Sequence, residues 1–330
     1  MRERLMRAAV RGAMKLPRFV QLVGRKRSVG ADAALDPEVA AALEFDRLAR
    51  LPALESMEVP AARRYAEFGM SPLDLDPAPM ADVIDTTAGG VPIRIFVPPD
   101  AGPDWVIYCH GGGGVIGSVR SSEPVTRYLA QQTRCTVASI DYRLGPEHKH
   151  PAGIEDACAA WRALVDRVPG KLAVGGDSHG GFLAAHVDHW ARSASVRRPD
   201  AQLLVYPIVD LTLTSPSLDR LGTGYLLTRS MIQWFHDHYT DPTTDLEAGS
   251  PWFWTDLEGS APAIVATAGY DPLVDEGDAW AARLREAGTT VRHRRYGSLI
   301  HGFLSMAGAV DAARAAADEL CRDLVELLAG

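Results

Sequence analysis

From Trp105 onward, short apolar runs alternate with helical segments, and this alternation constrains the fold more than any other feature of the chain. The runs are Trp105–Cys109, Thr136–Ile140, Leu172–Gly175, Gln202–Tyr206, Ala263–Ala268 and Thr290–Tyr296. Helical patterns separate them at Glu123–Gln132, Ile154–Val168, Phe182–Ser193 and Asp278–Ala287, and a last helix is expected at about Ala312–Leu328. Strand and helix in turn require a mostly parallel sheet covered by helices on both faces, an α/β fold. Ahead of it, Asp82–Ala88 and Val91–Val97 flank Gly89-Gly90, a two-residue turn that predicts a hairpin at one edge. Leu211–Gly259 breaks the rhythm, because it separates two strands by far more than one crossover needs. Long insertions of this kind often carry function.

Upstream of the sheet the chain reads as helical. Asp36 before Pro37 is a good N-cap followed by a good first helical residue, and Val39, Leu43, Phe45 and Leu48 continue the run. Pro60 opens a second short helix ending near Gly69, and Ser71–Met80 is a Pro-rich linker. Residues 1–30 hold nine Lys or Arg and one Glu, although the whole chain carries a net charge of −8. Leu5, Val10, Met14 and Ala13 recur there at helical spacing among Arg4, Arg7 and Arg11. The favoured reading is an amphipathic helix packed on the acidic body, with peripheral contact to anionic lipid as the alternative. No apolar run reaches the roughly 7–15 residues of a secretory core or the ~20 of a membrane span.

The overall acidic balance argues against a nucleic-acid partner. With 330 residues, 47% of them hydrophobic, the chain buries enough surface to fold without a disulfide or a metal. Cys109, Cys135, Cys158 and Cys321 form no CxxC, which points to a reducing, cytoplasmic compartment. Oligomeric state is open at this level, a homodimer included.

The sharpest local signal is Gly176-Asp177-Ser178-His179-Gly180, which follows an apolar strand and opens a helix. That context is the one a nucleophile elbow requires: a Ser on a tight turn, with glycines two before and two after relieving the crowding. The second signal is His110-Gly111-Gly112-Gly113-Gly114, directly after the strand Trp105–Cys109. Consecutive glycines let backbone N–H groups turn inward, and such donors stabilise a developing oxyanion. A phosphate loop is disfavoured, because neither a Gly-Lys-Ser/Thr ending nor a G-x-G-x-x-G opening a helix is present. A Ser nucleophile in this fold needs an acid and then a His downstream. Asp271 follows the strand Ala263–Ala268, and His301 follows Thr290–Tyr296. All three lie past the C-terminal ends of strands, the edge where open α/β sheets place their sites.

Together these segments resemble the hormone-sensitive-lipase-like branch of the α/β-hydrolases, rich in bacterial carboxylesterases. The resemblance rests on HGGG at His110–Gly113, DYRLGPEH at Asp141–His148, GDSHGG at Gly176–Gly181, DPLVDEG at Asp271–Gly277 and HGF at His301–Phe303. It implies an α/β-hydrolase catalytic domain over 76–330, a helical N-terminal cap segment over 1–75, and a second cap insertion over 211–259. It implies Ser178 as nucleophile, His301 as general base and Asp271 as the orienting acid. Gly112, Gly113 and His179 are the implied backbone oxyanion donors, and neither cofactor nor metal is expected. The chain departs from the family at His179, where Ala is usual, at Gly114, where an aromatic is frequent, and at Lys149-His150, where Pro-Phe is usual. An imidazole beside the elbow is expected to narrow the pocket or tune it. Gly114 is expected to leave room beside the scissile carbonyl.

Other groups fit bland roles better. Asp275 is a rival acid, but it lies four residues further into the next segment, where acids serve helix N-termini. The pairs His148/His150, His186/His189 and His236/His238 lack the three or four convergent ligands of a zinc site. Arg143 and Glu147 read as a structural ion pair. Trp252, Phe253 and Trp254 fit cap packing or a substrate-pocket lining equally well. The reading is a serine carboxylesterase acting on short- to medium-chain acyl esters. A serine amidase, deacetylase or lactonase shares its triad, and a non-catalytic receptor on the same fold is disfavoured because His301 is present.

Overall fold

The computed structural model describes residues 11–12, 33–49, 52–69 and 72–330. Apart from Arg11 and Gly12, which are helical, the basic segment around Leu5–Met14 lies outside the described residues. Arg11 itself pairs with Asp76 at 2.9 Å.

Eight strands form one sheet in the order β1-β2-β4-β3-β5-β6-β7-β8. They are Asp82–Ala88, Val91–Val97, Trp105–Cys109, Thr136–Ile140, Leu172–Asp177, Ala201–Val205, Ala263–Tyr270 and Val291–Ile300, numbered β1 to β8. β1 and β2 form the expected hairpin, and β2 runs antiparallel to β4. All remaining pairs are parallel. The helices are α1 (Pro37–Ala49), α2 (Val59–Gly69), α3 (Glu123–Thr133), α4 (Ala152–Leu164), α5 (His179–Ser193), α6 (Ser217–Leu221), α7 (Arg229–Tyr239), α8 (Val274–Glu286) and α9 (Asp311–Ala329).

Alternation along each strand builds two cores. Val106, Tyr108, Leu203, Val205, Ile264 and Ala266 face a cluster shared with α3, α9 and Val39 and Ala40 of α1. Ile107, Cys109, Val174, Leu204 and Val265 face the other, with Trp161 of α4, Phe182 of α5 and Trp280 of α8. Asp36 caps α1 as expected, accepting from the N–H groups of Glu38 at 2.8 Å and Val39 at 3.2 Å.

The ends of β7 and β8 reach further than the hydrophobic pattern indicates. The register shifts between Ala268 and Tyr270, and Tyr270 then pairs with Ile300. Gly269 makes this possible, because a Cβ there would overlap the backbone of Gly297. Two strands that cross this closely deliver their next residues, Asp271 and His301, to one place. The insertion between β6 and β7 supplies α6 and α7, and Leu218, Leu227 and Ile232 gather with Leu273 in a small satellite cluster.

Candidate active site

At the elbow, Ser178 adopts φ 55° and ψ −119°, a strained conformation for a residue with a side chain. The turn is tied to β6 by the Ser178 N–H, which donates to Val205 O at 2.8 Å. Gly176 and Gly180 are required by close approach. A Cβ on Gly176 would lie 2.5 Å from Cys109 O, and one on Gly180 would overlap that same carbonyl group. Strand β3 and the elbow therefore touch backbone to backbone.

His301 Nε2 lies 2.9 Å from Ser178 Oγ, and His301 Nδ1 lies 2.7 Å from Asp271 Oδ2. With Nδ1 donating to the carboxylate, Nε2 is left to accept the serine proton. The other Asp271 oxygen accepts from the Leu273 N–H at 2.8 Å. Asp271 is 1% exposed and His301 is 8% exposed, so water barely competes for this relay. The Tyr206 ring holds the other flank of the imidazole, with centroids 4.6 Å apart. Asp275 instead pairs with Arg220 at 2.7 Å, which leaves Asp271 as the acid beside the histidine.

The glycine loop faces this relay. Gly112, Gly113 and Gly114 all have positive φ, at 122°, 62° and 71°. The loop carbonyl of Gly112 accepts from the N–H groups of Val115 and Ile116, each at 3.0 Å. The N–H groups of Gly112, Gly113 and His179 have no acceptor among the described residues. His179 opens α5, so its N–H is one that a helix N-terminus leaves free. Uncommitted donors on two sides of a nucleophile can hold a tetrahedral oxyanion.

Residues that the sequence reading passed over hold the loop in place. The Asp177 carboxylate accepts from Tyr108 Oη at 2.7 Å and the Gly111 N–H at 3.1 Å, tying elbow to loop. Burial pushes the Asp177 pKa up, opposed first by the Tyr108 hydrogen bond. Arg63 of α2 donates to Val115 O at 2.9 Å and Gly145 O at 2.8 Å and pairs with Glu147 at 2.6 Å. Arg143 pairs with Asp156 and Glu155. The expected Arg143–Glu147 pair is thus not formed: each has a nearer partner on another element.

A cavity of about 240 Å³ opens above Ser178 and His301. Its walls are mainly apolar and come from the insertion, with Leu211, Leu226, Met231, Ile232 and Phe235 among them, and from Ala66 and Val125 opposite. No Lys, Arg or Glu lines it among the described residues. Four expected pocket residues are not part of this wall. A Cβ on Gly114 would lie 2.5 Å from Tyr239 Cδ2 and 2.9 Å from His179 Nε2, so these rings occupy the room expected there. Trp254 stacks on His189, with centroids 4.0 Å apart, and meets Trp280 edge-on. Arg283 sits over the Trp252 ring and donates to the carbonyls of Trp252 and Trp254, and Phe253 is exposed. This aromatic cluster braces α5 against α8 instead of lining the cavity. The amphipathic spacing of Met231, Phe235 and Tyr239 was the sequence signal for the wall actually used.

The histidine pairs are dispersed. His186 Nδ1 bonds Phe182 O, His189 bonds Asp256, and His238 Nδ1 bonds Trp234 O. Among the described residues no group of three or more His, Cys, Asp or Glu is placed to hold a metal ion. No helix among them is long and apolar enough to cross a membrane.

The fold is a mostly parallel sheet covered by helices on both faces, and comparison with known proteins places the chain among the hydrolases of that fold. Residues 106–305 match the family model for the alpha/beta hydrolase fold, so the chain belongs to the α/β-hydrolase family. Within it the chain stands among the carboxylic ester hydrolases. It is 33% identical over 303 residues to an ethyl acetate hydrolase of Pseudomonas putida, covering 85% of this chain and 95% of that one. It is 40% identical over 235 residues to the carboxylic ester hydrolase LipN of Mycobacterium tuberculosis, covering 66% of this chain. The match spans 62% of the length of LipN. Among solved structures, an ester hydrolase from the metagenome of Lake Arreo, complexed with a bipyridine phosphonate derivative, superposes with a TM-score of 0.85. It is 36% identical and covers 90% of this chain and all of that one, 100%. An esterase of Pyrobaculum calidifontis gives a TM-score of 0.79 at 35% identity, covering 82% and 94% of the two chains.

Burial also sets a pH limit. Desolvation drives the His179 pKa from 6.5 to about 3, and the neighbouring His110 and His186 push it the same way. Because the folded value is depressed, the unfolded chain binds the proton first. This contribution to stability is whole above pH 6.5 and is lost as the pH falls toward about 3. Urea melts between pH 7 and pH 4 are expected to show falling stability, with a shallower slope in His179→Met. An identical slope in the variant would place the acid sensitivity elsewhere.

Proposed function

We propose that the protein is a serine carboxylesterase that hydrolyses short- to medium-chain acyl esters through an acyl-enzyme. The observation carrying this reading is the relay from Ser178 Oγ through His301 to Asp271, at 2.9 Å and 2.7 Å, at the floor of an apolar cavity. His301 Nε2 takes the hydroxyl proton as Ser178 Oγ bonds to the acyl carbon. The carbonyl electron pair moves onto oxygen, where the N–H groups of Gly112, Gly113 and His179 receive it. The C–O bond to the alcohol then breaks, and the leaving oxygen takes the proton from His301. Water attacks the acyl-enzyme, His301 takes its proton and returns it to Ser178, and the carboxylic acid departs. Asp271 keeps the imidazole in the working tautomer and stabilises its cation.

Substrate size and charge follow from the wall. About 240 Å³ lies just below the usual range of ligand sites, roughly 300–1,000 Å³, and it favours short chains. A lining without Lys, Arg or Glu favours an uncharged acyl group. The helices before the sheet and the insertion over 211–259 act in this reading as the cap that encloses it.

Ser178→Ala is expected to abolish hydrolysis of p-nitrophenyl butyrate while leaving the circular dichroism melt unchanged. Asp271→Asn is expected to cut kcat by a large factor, ~10⁴ in the serine-protease precedent. Asp275→Asn, which loses only the Arg220 pair, is expected to stay near wild type. A more damaging Asp275→Asn would reverse the assignment of the acid.

Across an acyl series, kcat/KM is expected to peak between roughly C2 and C8, within what a small apolar cavity admits. Faster turnover of emulsified long-chain triglyceride than of p-nitrophenyl butyrate would contradict the proposed size limit.

A further inference from the structure

His179 does more than supply a backbone N–H. Its side chain is 2% exposed and points away from solvent, toward the glycine loop. A Cβ on Gly114 would lie 2.9 Å from His179 Nε2, so the imidazole tip rests on the Gly114 backbone. The ring is gripped on other sides, stacked on Phe182 with centroids 5.1 Å apart and edge-on to Tyr239 at 4.5 Å. Nε2 has no hydrogen-bond partner among the described residues, and burial keeps the ring neutral. A buried imidazole with an unused nitrogen and no charge acts there by its shape.

Its position gives that shape a consequence. The proposed oxyanion donors come from two separate pieces of chain: Gly112 and Gly113 on the loop after β3, and His179 at the start of α5. The loop is a run of positive-φ glycines with little stiffness of its own. From the insertion side, Phe235 and Tyr239 press on Gly113 and Gly114, and Arg63 pulls on the Val115 carbonyl. The His179 ring is the counter-support on the elbow side.

We infer that the His179 imidazole is a positioning residue, a spacer that fixes the separation between the two halves of the oxyanion hole. This rests on the esterase reading above. Small displacements matter there, because donors must meet the oxyanion at roughly 2.7–3.1 Å, and losing one costs about 10²–10³ in kcat.

The test compares wild type, His179→Ala and His179→Met on p-nitrophenyl butyrate, with inhibition by an alkyl trifluoromethyl ketone, whose serine adduct carries the oxyanion. His179→Ala keeps every N–H donor and the whole Ser178–His301–Asp271 relay, so a merely passive ring would leave both readouts unchanged. The expected result is a fall in kcat of about ten- to a hundredfold with KM within about twofold, and an equal loss of ketone affinity. Methionine fills a similar volume without a ring nitrogen and is expected to recover most of both losses. Should His179→Ala fail to fold, His179→Met decides: near-wild-type kcat and ketone affinity support the spacer, and loss of both overturns it in favour of a role for the nitrogen. In a folded His179→Ala, unchanged kcat, or a rise in KM with ketone affinity following KM, also overturns it. Wild type inactive on every ester would instead defeat the esterase reading itself, and the spacer with it.

Discussion

The site depends on one backbone contact, the meeting of the elbow with the end of β3. Gly176 and Gly180 lie so close to the Cys109 carbonyl that neither can carry a Cβ. This contact holds Ser178 at φ 55° and sets the glycine loop, which leaves β3 one residue later, beside the Ser178 hydroxyl. Asp177 adds a polar tie across the same gap through Tyr108 and the Gly111 N–H. Strain at the serine is held by two strands that belong to the centre of the sheet, so the cost is borne by the most buried part of the molecule.

A second close crossing completes the relay. Gly269 lets the end of β8 bend over β7, and the shifted register puts His301 next to Asp271. Two glycine-dependent contacts, one at the centre of the sheet and one at its β7–β8 end, thus bring together residues far apart in the chain. The walls have a different origin. α7 presents its apolar face to the loop, and the satellite cluster of Leu218, Leu227, Ile232 and Leu273 seats the insertion beside it.

Much of this was legible in the sequence because each strand carries its own apolar run. β1 to β4 begin and end where the pattern places them, and Asp36 caps the helix that it announces. The misses have physical causes. The helix expected from Phe182 instead starts at His179, and the two glycines in its first turn are there because tertiary crowding admits no Cβ. Gly297 and Ser298 read as a loop, yet β8 runs on to Ile300 through the bulge. Trp252–Trp254 are a conspicuous aromatic run, yet they brace α5 and α8, whereas the quieter spacing of Met231, Phe235 and Tyr239 forms the wall. Pairings such as Arg63–Glu147 depend on elements meeting in space, which no local pattern encodes.

In the proposed reaction Ser178 forms the covalent intermediate. Treatment with diethyl p-nitrophenyl phosphate, followed by digestion and peptide mass spectrometry, tests it directly. One diethylphosphoryl group per chain is expected, on the peptide containing Ser178, with its appearance matching the loss of esterase activity. Inactivation with the group on another residue, or full hydrolysis of esters with Ser178 unmodified, would contradict it.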